Sequence, residues 1–116
     1  MTYDEDPIDP SKLAELREIG DDEFVAELAQ MYLAELGPRL DAIDAAVALG
    51  DPANAAICIH ALSGSSANLG LTQLAAVAKM LEQHYRGEPQ DDPQALLSEL
   101  HLRAEQASRR LGQLAA

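Results

Sequence analysis

The sequence predicts an all-α domain: an antiparallel up-down four-helix bundle with a short additional helix at its N-terminal end. Three observations carry that prediction. Apolar residues recur at three- and four-residue spacings throughout, and no stretch alternates as a strand would. Asp-Pro occurs at Asp9-Pro10, Asp51-Pro52 and Asp92-Pro93, each ahead of an Ala/Leu-rich stretch. Asp is a strong N-cap and Pro is preset for the first helical position, so each pair marks a helix start. Gly20, Gly50, Gly70 and Gly87 follow the periodic stretches, where a left-handed C-terminal cap favours glycine.

In chain order, a short helix is expected near 10–19 and a long one from about 22 to 49. The long one carries Val25, Leu28, Tyr32, Leu36, Leu40, Ile43 and Val47 on one stripe. That stripe runs straight through Gly37-Pro38, so the pair is either a kink in one helix or a brief break, and not a domain boundary. A third helix over about 52–69 buries Ala55, Ile59, Leu62, Ser66 and Leu69, with the Ser66 hydroxyl expected to bond back to its own helix. The fourth, 72–86, offers Leu74, Ala78, Leu81 and Tyr85. The last, 93–114, offers Leu96, Leu100, Ala104, Ala107, Leu111 and Leu114. Four amphipathic helices joined by short loops bury such stripes against one another as a bundle. One domain is expected over 9–116, preceded by a loose acidic tail over 1–8.

Composition narrows the function. Twenty acidic residues against 8 basic give a formal charge of -12, which repels nucleic acid and anionic membranes. The opening Met1-Thr-Tyr-Asp-Glu-Asp-Pro has neither a basic n-region nor an apolar h-region, so no signal peptide is expected. Cys58 stands alone, which excludes an internal disulfide, fits a reducing cytoplasm and reads as a small hydrophobe at the edge of a stripe. The charge favours a monomer, and the run of helices from Met1 favours a free-standing protein. His60, His84 and His101 share no ligand spacing, so no metal is expected. His84 and His101 read as ordinary surface residues.

His60 does not. At about 100° per residue it points roughly 140° away from the buried stripe of its helix. The outward face around it carries Ala53, Ala56, Ile57, Gly64 and Ala67, where a solvated helix normally carries Lys, Glu and Gln. Gly64 stands one turn on, at a helix cost of about 1 kcal/mol relative to Ala. A ring left this bare is built to be touched by another large molecule.

The segment His60-Ala-Leu-Ser-Gly-Ser-Ser-Ala-Asn-Leu-Gly70 resembles the signature of histidine phosphotransfer (HPt) domains, His-x-Leu-Lys-Gly-Ser-(Ser/Ala)-x-x-(Leu/Ile)-Gly. The departure is Ser63, where the family has Lys. The resemblance implies a phosphorelay intermediate whose His60 exchanges a phosphoryl group with the aspartate of response-regulator receiver domains. A hybrid histidine kinase is a further candidate partner. The implied cofactor is Mg²⁺ on the receiver and none on this chain, which would have no kinase or phosphatase activity of its own. It further implies that Gly64 gives the incoming domain room over a floor of Ala53, Ala56, Ile57 and Ala67. Glu82 aligns with a position often Gln or Glu in the family and is the candidate acceptor for the Nδ1 proton. Lys79 or Arg86 could replace the charge missing at Ser63, although Lys79-Glu82-Arg86 also reads as an ordinary salt-bridge row. The alternative function is an interaction module that docks receiver or kinase domains through the same face without becoming phosphorylated.

Overall fold

The computed structural model describes residues 6–116, which form α1 (Pro10–Ile19), α2 (Asp22–Ala48), α3 (Pro52–Asn68), α4 (Thr72–Tyr85) and α5 (Pro93–Ala115). Each Asp-Pro pair starts a helix. Asp9, Asp51 and Asp92 accept backbone N–H bonds from Ser11, Asn54 and Ala95 at 3.0, 3.1 and 3.0 Å. α2 starts without proline, on Asp21, which accepts from the Phe24 N–H at 3.0 Å. α2 continues through Gly37-Pro38 without a break. Pro38 removes the bond to the Ala34 carbonyl, but both residues lie on the exposed side, where the loss of that bond does not bury an unpaired group.

Gly50 and Gly70 hold the left-handed conformation expected of them, with φ of 68° and 76°. Gly20 does not: its φ of -129° is extended. The requirement there is steric, because a Cβ would collide with the Phe24 ring.

α2 packs on α3 and α5, and α4 packs on the same two helices, closing a four-helix ring with α1 laid against α2. The α3–α4 pair is the most extensive contact. Ile43, Ile59, Leu62, Leu71, Leu74, Leu81, Leu100 and Leu111 are fully buried between them. Each such side chain contributes about 1.5–3 kcal/mol by leaving water. Ser66 departs from expectation: its hydroxyl pairs with the Tyr32 hydroxyl of α2 at 2.7 Å instead of its own helix. Burial pushes the Tyr32 pKa up.

The loose tail expected over 1–8 is corrected at its inner end. Ile8 is buried, the Asp9 N–H donates to the Gly70 carbonyl at 2.7 Å, and Asp6 accepts from Arg110 at 3.0 Å. One apolar side chain and one ion pair suffice to tie residues 6–8 to the α3–α4 turn and to α5. Residues 1–5 of that tail lie outside the described residues.

Candidate functional site

α3 delivers His60 to the surface with 72% of its side chain exposed, while its Nδ1 stands 3.2 and 3.1 Å from the two carboxylate oxygens of Glu82 on α4. Glu82 is itself only 13% exposed. One turn further along α4, Arg86 Nε donates to Glu82 Oε2 at 2.7 Å. Burial opposes the Glu82 charge, but Arg86 and then His60 together outweigh it and hold the carboxyl below its usual range. An ionised carboxylate can only accept, so Nδ1 carries the ring proton. Nε2 faces outward and bonds to no described residue.

A groove of about 400 Å³ runs beside the ring, walled by His60, Ser63, Gly64 and Ala67 of α3 and by Lys79, Glu82 and Gln83 of α4. A Cβ added at Gly64 would meet nothing within 4 Å, so internal packing does not require a glycine there. Ser63 turns sideways and donates to the Ala75 carbonyl of α4 over a long 3.4 Å. Towards the start of α3, Ala53 and Ile57 are exposed, Ile57 by 63%. Ile57 lines two further open depressions. One, of about 560 Å³, reaches Tyr85 and Arg86; the other, of about 310 Å³, reaches Pro38, Ala42, Cys58 and Ala61.

Two expected placements need correction. Ala56 is buried instead of exposed, although it lines the larger depression together with Ala53 and Ile57. It lies a quarter-turn from the centre of the buried stripe, on the side where α4 closes against α3. Arg86 is held by Glu82 and lies beside Ile57, not in the groove at His60. Gln83, Tyr85, Pro38 and Ala42 were not anticipated, since their place depends on how α2 and α4 flank α3. The other two histidines are half-buried instead of simply exposed: His84 stacks edge-on against Tyr85 at 4.9 Å, and His101 Nε2 meets Asp44 at 2.9 Å. Among the described residues, no three His, Cys, Asp or Glu side chains gather as a metal site, and no helix is long and apolar enough to cross a membrane.

A four-helix bundle that displays one imidazole, anchored through Nδ1 and open at Nε2, is the build of a group carrier that meets another macromolecule. The family model of the Hpt domain matches residues 27–110, and the chain belongs to that family. Its members serve histidine phosphotransfer in phosphorelays as phosphocarriers, and interact with kinases and response-regulator receivers. Among solved structures, the chain is similar to histidine-containing phosphotransfer protein B from Pseudomonas aeruginosa PAO1, at 26% identity and a TM-score of 0.83, over 91% of each chain. Among curated proteins, none matches the chain by sequence.

Proposed function

We propose that this chain shuttles a phosphoryl group between receiver domains on Nε2 of His60. The observation that carries the reading is the Arg86–Glu82–His60 chain of contacts, which leaves Nε2 the nucleophilic nitrogen. The Nε2 lone pair attacks the phosphorus of a receiver aspartyl phosphate. A P–N bond forms, the P–O bond to the aspartate breaks, and the carboxylate leaves with that electron pair. The ring gains positive character, which the Glu82 carboxylate stabilises through the Nδ1 proton. Return to a second receiver reverses these steps. Because phosphoryl transfer asks mainly for alignment and charge neutralisation, a rigid helix pair is sufficient apparatus, with Mg²⁺ supplied by the receiver.

The partner docks over Ala53, Ile57 and Ala67, with Gly64 leaving the approach to the ring open. The chain acts as a cytoplasmic monomer, a setting in keeping with its single, unpaired Cys58. One observation favours a different reading, as a docking module that is never phosphorylated: Ser63 brings no charge and its hydroxyl is turned to Ala75. Incubation with a phosphorylated receiver domain separates the two. Acid-labile, alkali-stable label on the wild type, and none on His60→Gln, is the expected result. Binding without label on the wild type would replace the carrier reading with the docking one.

A further inference from the structure

Resting on the carrier reading, the structure assigns Lys79 as the group that binds the phosphoryl oxygens on His60, a cation supplied across the groove by α4. The chain has 8 basic residues among 20 acidic ones, and every Lys and Arg but one sits within 3.5 Å of a carboxylate oxygen. The exception among the described residues is Lys79. Its position explains why it is left over. The carboxylate that a lysine would reach at i+3 on its own helix is Glu82, and both oxygens of Glu82 are engaged by His60 and Arg86. The ammonium is thus kept out of the ion-pair network at the one place where it walls the same groove as the nucleophile.

A phosphoryl group on Nε2 brings two negative charges into this groove. Arg86 is committed to Glu82, Gln83 is neutral, and Ser63 is directed at the Ala75 carbonyl. Lys79 is then the cation in the groove wall free to meet the incoming oxygens, and its flexible stem lets the ammonium follow them. Arg86 has the separate task of holding Glu82.

The test uses the full chain with phosphoramidate, a donor that needs no protein docking. Nε2 attacks phosphorus, a P–N bond to the ring forms, the P–N bond of the donor breaks and ammonia leaves. Lys79→Gln should slow labelling of His60 by about fivefold or more, as expected for a lost charge-assisted hydrogen bond. Added salt should shrink that loss. Lys79→Arg should retain most of the rate. Ser63→Lys in the Lys79→Gln background should restore it, because that change moves a cation to the opposite wall of the groove. Lys79 is exposed and, among the described residues, unpaired, so circular dichroism should show each variant folded. Wild-type rates in Lys79→Gln would overturn the assignment and leave the carrier reading intact. A wild type that takes label from neither phosphoramidate nor a receiver would remove the carrier reading, and the role of Lys79 with it.

Discussion

Among its described residues the bundle contains two histidine–carboxylate pairs, one on each side. On the α3–α4 side His60 meets Glu82 through Nδ1 at 3.1 Å; on the α2–α5 side His101 meets Asp44 through Nε2 at 2.9 Å. By distance alone the His101 pair would be the better site. The differences lie in what surrounds each pair. Glu82 is mostly buried and clamped by Arg86, whereas Asp44 is 45% exposed. The His60 ring is 72% exposed amid Gly64 and Ala67, whereas the His101 ring is 41% exposed and has its outer nitrogen occupied. On the proposed reading, His60 is the nucleophile because its carboxylate is fixed, its inner nitrogen is the one engaged, and its outer nitrogen has room.

The sharpest way to break this comparison is to remove each ring in turn. His60→Gln should abolish phosphoryl transfer from a receiver, and His101→Gln should leave it at the wild-type rate. Next in size is access. Gly64→Gln should cut receiver-dependent transfer by about a hundredfold, since a side chain there points into the space the partner must fill. The same change should raise stability by about 0.5 kcal/mol, because it replaces a mid-helix glycine where a Cβ meets nothing. Opposite movement of Tm and transfer rate would show that this glycine serves the partner and not the fold. A fall in both would assign it to the fold.

These contrasts indicate what a single sequence can convey. Helix boundaries are legible because Asp-Pro and Gly are local signals, and three of the five helices take their caps from the Asp-Pro aspartates as read, while α2 takes its cap from Asp21. The exposure of His60 is legible because helical period alone turns it roughly 140° away from the stripe that Ile59 and Leu62 share. Contacts between elements are not legible. The Ser66 partner is Tyr32, 34 residues away, and Ala56 is covered by the way α4 closes on α3. Ile8 sits within an acidic opening whose composition suggests a tail, and only the folded bundle shows the site it fills. The allotment of Arg86 to Glu82 had a signal, since Glu followed four residues later by Arg is the favourable helical order. That signal could not show that the same carboxylate also holds His60, or that Lys79 is left without a carboxylate partner among the described residues in consequence.

A smaller effect sharpens the role of the fixed carboxylate. Glu82→Leu should slow transfer by about tenfold by freeing the Nδ1 proton and the ring orientation. The pH dependence has a definite sign. The folded-state pKa of Glu82 lies below its ordinary value of 4.5, so its contribution to stability is fully present above that value and is lost as pH falls through the folded-state pKa. Thermal unfolding followed from neutral to acidic pH should show a smaller loss in Glu82→Leu than in the wild type. Equal losses would mean that the Arg86–Glu82–His60 contacts do not favour the ionised carboxylate.

The smallest expected effect tests the other side of the bundle. Asp44 and His101 join α2 to α5, so their pairing belongs to the packing of the four-helix ring and not to the chemistry proposed on α3. Both side chains are more than two-fifths exposed, and ion pairs in that setting contribute between about 0.2 and 1 kcal/mol. Asp44→Ala should therefore lower Tm by no more than a few degrees and leave transfer through His60 unchanged. α2 does touch α3, so a path from Asp44 to the site exists in principle through Tyr32 and Ser66. That path runs through a single buried hydroxyl pair packed among fully buried aliphatic side chains, a setting that resists small displacements. A transfer rate reduced by more than about twofold in Asp44→Ala, with Tm nearly unchanged, would show that the rear helices tune the ring after all. The two histidine–carboxylate pairs would then be coupled parts of one device instead of a site and a strut.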